Sequence, residues 1–470
     1  MSTDLRFEGY MAHLAAGLGH VDRHAGLEGY CTGLMLPLSR KSVEPMAARV
    51  DPLHASARHQ SLHHFVAQAE WSDAEILRRV SQWVVPKMDL SGGGFWIIDD
   101  TGFPKQGKHS VGVARQYCGM LGKQDNCQVA VSISVANEQA SVPVAYRLYL
   151  PKEWADDPER RKKAGVPAEL KFATKPEIAL QQLEGLLAEG APKYCVLADA
   201  GYGVNYEFRQ RLTDLGLPYV VGITSVVAVW PPGLEPLPPK PYSGMGRPPV
   251  MPRRTNRRQP VPVRDLAHGL PSGDYQTICW RQGTNEVLSG RFAAVRVRYA
   301  GGNIGKARLL PEQWLLIEWP TNDAEPLKYY LSTLPEDISL NELVAQAHMR
   351  WRIERDYQDL KQELGLGHYE GRGWRGFHHH ATLSIAAYGF LVSERLLPTG
   401  NPSDFKKNFT TRQIPALPAD YIPRGSPARS AACVTFDCHD SLPAQFSVDP
   451  PPRTVSLLRT SKCKSTLVTQ

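Results

Sequence analysis

Three acids in this chain stand in surroundings that could put them to chemical use. The run Phe95-Trp96-Ile97-Ile98-Asp99-Asp100-Thr101-Gly102 is apolar and β-rich, ends on two adjacent carboxylates and breaks at a glycine. It reads as a buried strand that delivers acids to a sheet edge. Tyr194-Cys195-Val196-Leu197-Ala198 repeats the device, ending on Asp199 before Gly201-Tyr202-Gly203. Asp also serves strand exits simply by satisfying its own backbone, so neither strand decides alone. Placed side by side in one sheet, the two would bring carboxylates together, and converging carboxylates repel unless a cation lies between them. That points to a hard divalent metal such as Mg2+. The third acid, Glu354, lies between Arg350 and Lys361 on a helix predicted from Ser339 to Leu364. At about 100° per residue the three fall within roughly 60° of arc. An ordinary salt-bridged surface helix has the same pattern.

The elements that must carry these residues follow from periodicity and punctuation. Residues 1–90 read as a small helical domain, with Ser72-Asp73-Ala74-Glu75 as a capping box ahead of Ile76, Leu77, Val80, Trp83 and Val84. The stretch from Leu53 to Trp71 carries His54, Arg58, His59, His63 and His64, a polar and partly basic face suited to solvent or phosphate. Residues 91–225 read as strands and helices. Cys127 to Val135 and Val142 to Leu150 pair as an antiparallel hairpin, and a helix from Pro176 to Glu189 leads into a βαβ unit around Asp199. Residues 226–338 form a β-rich insertion with a proline-rich arm bearing Arg253, Arg254, Arg257 and Arg258. Residues 339–398 return to helix, through His378-His379-His380 into an apolar helix from Ala381 to Leu396. Residues 399–470 lose periodicity and read as an extended or disordered tail.

Composition excludes several classes. With 42% hydrophobic and 21% charged residues the chain is globular rather than disordered. A formal charge of +7 permits a nucleic-acid partner without demanding one. The eight cysteines lack tight spacing, and Cys433, Cys438 and His439 have no second pair to complete a zinc site. The glycines around Lys105 and Lys108 lack the order of a nucleotide-binding P-loop. No apolar run approaches the roughly 20 residues of a membrane span, so the expected location is the cytoplasm.

Taken together, Asp99-Asp100-Thr101-Gly102-Phe103-Pro104-Lys105, Ser110 to Tyr117, Ala198-Asp199-Ala200-Gly201-Tyr202-Gly203 and Arg350-Trp351-Arg352-Ile353-Glu354 with Lys361 resemble bacterial insertion-sequence transposases of the DDE superfamily. The resemblance covers roughly residues 30–395, with its motifs in the family's order. It implies a ribonuclease-H-like mixed sheet flanked by helices, an α/β fold interrupted by a β-rich insertion. Asp100, Asp199 and Glu354 match the catalytic, metal-binding acids, with Asp99 supporting the site or serving the turn. Arg350 and Lys361 match the Arg and Lys of the family's Tyr-Arg-Glu-Lys signature; Ala347 stands where its Tyr should be.

The expected activity is hydrolysis of phosphodiesters at transposon ends, then transfer of the 3′-hydroxyl into target DNA. Two Mg2+ ions, with Mn2+ as a substitute, would serve both steps. DNA contacts are expected from Arg350, Lys361, Lys105, Lys108, Arg253, Arg254, Arg257 and Arg258, with Tyr202, Trp351 and Arg372 in support. The partners are the double-stranded terminal repeats and target DNA, and a homodimer would hold two ends; no membrane and no small-molecule cofactor is expected. Rival readings are a DDE-type nuclease that cuts without joining, a domesticated non-catalytic DNA-binding relative, and a two-carboxylate glycoside hydrolase, which the basic surroundings disfavour.

Overall fold

The computed structural model describes residues 2–282, 287–302, 309–321 and 323–397. The expected tail at 399–470 lies outside them, with Cys433, Cys438 and His439. Five helices precede the first strand: α1 (Thr3–Ala15), α2 (His24–Met35), α3 (Val43–Val50), α4 (Ala55–Ala67) and α5 (Asp73–Val84). Ser72 caps α5 by accepting from the Glu75 N–H at 3.2 Å. Only that half of the expected capping box forms, because the Glu75 carboxylate turns to Arg78 and Arg79 at 2.7 Å each.

Strand β1 (Phe95–Pro104) is followed by β2 (Ala114–Cys118), β3 (Lys123–Ala136) and β4 (Ser141–Leu148), with β3 antiparallel to the other three. Two short helices, α6 (Lys152–Ala155) and α7 (Pro158–Ala164), lead to α8 (Lys175–Ala188). A full Thr174/Glu177 capping box starts α8. Strand β5 (Cys195–Ala198) runs parallel to β1; α9 (Ala200–Gly203) and α10 (Tyr206–Asp214) then cross to β6 (Tyr219–Ile223), parallel to β5. The predicted hairpin and βαβ unit are therefore both present.

The β-rich segment extends the same sheet. After β7 (Ala228–Trp230), β8 (Val261–Pro262) and helix α11 (Val263–Gly269) come β9 (Gln276–Gln282), β10 (Val287–Tyr299), β11 (Glu312–Trp319) and β12 (Lys328–Ser332). Strand β12 pairs antiparallel with β6, giving the order β2-β3-β1-β5-β6-β12-β11-β10-β7-β8, with β4 on β3 and β9 on β10.

The helix expected from Ser339 to Leu364 is two helices, α12 (Leu340–His348) and α13 (Trp351–Gln362). At the junction Arg352 N–H reaches the Met349 carbonyl and Ile353 N–H the Arg350 carbonyl, at 3.1 and 3.2 Å. These are tighter i→i+3 links that turn the chain without glycine or proline. The last helix among the described residues, α14 (Trp374–Arg395), starts earlier than expected and takes the three histidines inside it.

Side chains alternate across a strand, and the register sorts them. Asp99, Ser132 and Tyr146 lie in one cross-strand row, and Asp100, Val131 and Arg147 in the next, on the opposite face. The Tyr357 hydroxyl of α13 meets Ser132 on the first face, while Gln181 of α8 accepts from Arg147 at 2.7 Å on the second. Covered on both faces, β3 is buried from Cys127 to Ala136. The N-terminal helices share this core: Tyr10 donates to the Ala386 carbonyl of α14 at 2.8 Å, and Arg6 pairs with Glu394.

Candidate active site

The β1–β5 register decides which acids can meet. The parallel pairs run Phe95 with Cys195, Trp96 with Val196 and Ile97 with Leu197. Continued two places past the last pair, the same register sets Asp99 level with Asp199, whose charge acts on the Asp99 carboxyl. Asp100 points to the other face, where its carboxylate takes an ion pair from Lys175 of α8 at 2.5 Å. The sequence reading put Asp100 in the acid cluster and Asp99 in support; in the structure it is Asp99 that shares a face with Arg350, while Asp100 pairs with Lys175.

Arg350, at the entry to α13, faces Asp99. Its guanidinium lies 3.0 Å from the Asp99 carboxylate and 3.0 Å from that of Glu354, the expected i,i+4 pair. Asp99 is 16% exposed and Glu354 63%, so the first acid is held in the protein and the second stands in solvent. Burial pushes the Asp99 carboxyl up to about 7; Arg350 opposes the rise, and Asp199 and Asp100 add to it. Asp199 opens the α9 turn, accepting from the Gly201 N–H at 2.9 Å.

Two glycines permit this turn. A Cβ on Gly222 of β6 would lie 2.9 Å from the Ala200 nitrogen, and one on Gly203 would collide with the Gly222 carbonyl oxygen. The bare backbones let Asp199 sit against β6.

The other predicted residues divide. Lys361 donates to the Gly102 carbonyl at 3.2 Å beneath the acids, and burial lowers its pKa. Lys105 donates to the Tyr369 carbonyl at 2.8 Å, whereas Lys108 is exposed. Tyr202 is buried below Asp199, Trp351 stacks with Arg352 at 4.4 Å, and Arg372 is exposed while its carbonyl accepts from Val111 at 3.0 Å. The arginines of the proline-rich arm are elsewhere. Arg253 donates to Pro238 at 2.9 Å, Arg254 lies 5.7 Å from the Trp230 ring, Arg258 donates to Glu235 at 3.4 Å, and Arg257 is exposed. Trp230 belongs to β7, six strands from β1, or about 30 Å along the sheet at ~4.8 Å per strand. Sequence reasoning missed Lys175 and Tyr357, whose partners become visible only once the faces of β1 and β3 are assigned.

All the acids offer hard oxygen donors, the set that suits a divalent cation. Among the described residues, however, no three His, Cys, Asp or Glu side chains are grouped closely enough to hold one. Arg350 supplies the positive charge between Asp99 and Glu354.

Against this geometry, residues 13–287 match the family described as DDE superfamily endonuclease. The chain belongs to that family. The match takes in Asp99, Asp100 and Asp199 of this DDE endonuclease and stops short of Arg350 and Glu354. Membership implies use of a divalent metal. The chain is also 34% identical over 194 residues to a probable transposase for insertion sequence element IS701 from Microchaete diplosiphon, a stretch that is 41% of this chain and 47% of that protein. It thus spans about half the length of that relative. A cryo-EM structure of the piggyBac transposase synaptic complex with hairpin DNA is similar with a TM-score of 0.40 and 10% identity, over 83% of this chain and 70% of that one. Among the described residues no helix is long and apolar enough to cross a membrane.

Proposed function

We propose that this DDE endonuclease is the transposase of an insertion sequence, with Asp99, Asp199 and Glu354 as its catalytic acids. The observation that carries the reading is the parallel β1–β5 register, which brings Asp99 to Asp199 while Arg350 links Asp99 to Glu354. Strand order supports a ribonuclease-H-like core: β4, β3 and β1 antiparallel, then β5 and β6 parallel to β1. On this reading residues 226–338 are an insertion grown onto the sheet edge, and residues 1–90 serve recognition of the DNA ends.

Two Mg2+ ions bound by Asp99, Asp199 and Glu354, with Mn2+ as a substitute, would supply Lewis-acid stabilisation of the entering and leaving oxygens of an in-line displacement. The protein's own residues do the positioning. Asp99 is fixed by its strand and Asp199 by the Gly203–Gly222 contact. Glu354 is free to turn inward once Arg350 moves to a phosphate, for which a guanidinium fork is well suited. Lys361 neutralises charge beside Gly102. Lys108 and Arg257, both exposed, and the half-buried Arg253, Arg254 and Arg258 of the arm add phosphate contacts that make binding steeply salt-dependent. A homodimer in the cytoplasm would hold two transposon ends together.

The test is incubation with DNA carrying the element's ends, with Mg2+ or with chelator. Metal-dependent nicking followed by joining of the 3′-hydroxyl to a target plasmid supports the proposal. Nicking without joining reduces it to a nuclease, and no metal-dependent cutting at all leaves a non-catalytic DNA-binding relative.

A further inference from the structure

Between Glu235 and Asp265 the chain carries seven Lys and Arg residues and no acid. This is the proline-rich arm, which leaves the sheet after β7, about 30 Å from β1 at the spacing of neighbouring strands. Its base is closed, because Leu237 and Arg253 exchange N–H···O bonds of 2.9 and 2.8 Å. Its tip is open, with every residue from 241 to 250 exposed. Met245 at this tip is 84% exposed, an apolar side chain left in water beside the cations.

The backbone of the tip is shaped for a narrow slot. The Tyr242 hydroxyl donates to the Gly246 carbonyl at 3.1 Å across a bend, and Gly246 takes a φ of 76°, which other residues resist. Arg247 follows, between Gly246 and Pro248-Pro249. Arg247 and Pro248 each precede a proline, which drives the chain into an extended course. Glycine has no side chain and proline a compact one, so the stretch is a thin ribbon bearing one long cation. The minor groove of DNA, about 6 Å wide, is too narrow for a helix but admits such a ribbon. A·T-rich sequence narrows it further and strengthens the negative potential that attracts an inserted arginine. Its sugar walls offer Met245 an apolar surface.

We propose that the arm is an additional DNA-reading site, in which Arg247 enters the minor groove of an A·T-rich stretch away from the scissile phosphate. The arginines at the arm's base hold the flanking phosphates. The 2-amino group of guanine projects into that groove and presents a donor where the guanidinium needs an acceptor. A·T and T·A look alike there, so the arm senses A·T content rather than one sequence. The inference rests on the DNA-binding reading above, and its test separates the two.

Binding of the full-length protein in chelator is measured by fluorescence anisotropy on three duplexes of equal length, built from A·T, G·C and I·C pairs. Inosine is guanine without the 2-amino group, so I·C keeps the major-groove pattern of G·C and presents the minor groove of A·T. Wild type should bind the A·T and I·C duplexes at least about fivefold more tightly than G·C. Arg247 is exposed, so Arg247→Ala leaves the fold intact and should bind all three alike, near the wild-type affinity for G·C. Wild type that treats I·C like G·C overturns the minor-groove assignment. Equal wild-type affinity for all three, or a preference that survives in Arg247→Ala, overturns the role of Arg247 and leaves the phosphate contacts of the arm standing. Binding to none of the three overturns the DNA-binding reading and the inference with it.

Discussion

Arg350 and Asp99 form an ion pair of 3.0 Å between the entry of α13 and the middle of β1, and the same guanidinium holds Glu354 at 3.0 Å. One cation of the protein thus sits between two proposed metal-binding acids. With Asp99 16% and Arg350 28% exposed, the pair is largely withdrawn from water, and removing one partner of such a pair strands the other.

Arg350→Gln should therefore lower metal-free stability by about 3 kcal/mol, read as a fall in the urea midpoint. Saturating Mn2+ should recover more of that loss in the variant than it adds to the wild type, since the acids no longer share an internal cation. DNA cleavage should still be lost, because the guanidinium is also the proposed phosphate contact. Equal stabilisation of both proteins by Mn2+ would remove Arg350 from the metal-free site.

Gly203→Ala should be more damaging than its size suggests. The added methyl meets the Gly222 carbonyl oxygen, which belongs to β6 and cannot swing aside. Overpacking against backbone costs about 3 kcal/mol, and here it displaces Asp199 as well. Thermal melting and a cleavage assay check both effects. Gly185→Ala, on α8 where an added Cβ meets nothing, is the control and should leave cleavage unchanged while the melting midpoint holds or rises.

The buried histidines of α14 set an acid limit. His378 donates from Nδ1 to the Trp374 carbonyl at 2.9 Å and accepts at Nε2 from the Leu148 N–H at 3.2 Å. His380 accepts from the Tyr30 hydroxyl at 2.9 Å and donates to the Gly365 carbonyl at 3.0 Å. Each ring uses one donor and one acceptor, the neutral form, and burial lowers both pKa values to about 4. A group whose folded pKa lies below its unfolded value stabilises the fold above the unfolded pKa, and the contribution drains away as pH falls toward the folded one. Between about pH 6.5 and pH 4 each histidine should remove up to about 1.4 kcal/mol of stability per pH unit. Asp73 and Asp99, whose carboxyls burial pushes up to about 7, titrate with the opposite sign over the same window, so the readout is a difference: from pH 7 to pH 4.5 the urea midpoint of wild type should fall relative to that of His378→Gln. Parallel profiles would show that the His378 ring is not held neutral in the folded protein.

Much of this architecture could be read directly from the chain. The two acid-terminated strands, the β3–β4 hairpin and the βαβ unit all appear where apolar runs and glycines placed them. The Arg350–Glu354 pair follows from helical spacing alone. Three features could not be read. The break between α12 and α13 uses neither glycine nor proline, so periodicity ran through it. Glu75 matched a capping box, yet two arginines one turn further on competed for its carboxylate. Asp99 and Asp100 are neighbours of the same type, and only the register with β5 shows which faces Asp199. A fold-level fact, strand pairing, selects the residue.

That selection is what most needs testing. Cleavage of end-bearing DNA in Mg2+ should be measured for Asp99→Asn and Asp100→Asn side by side, with Asp199→Asn and Glu354→Gln as references. Asp99→Asn should lose about a thousandfold in rate, roughly 4 kcal/mol of transition-state stabilisation, and match the two references. Asp100→Asn, which forfeits only the pair with Lys175, should stay within about tenfold of wild type. The reverse order, with Asp99→Asn cutting at near the wild-type rate and Asp100→Asn inactive, would contradict the account.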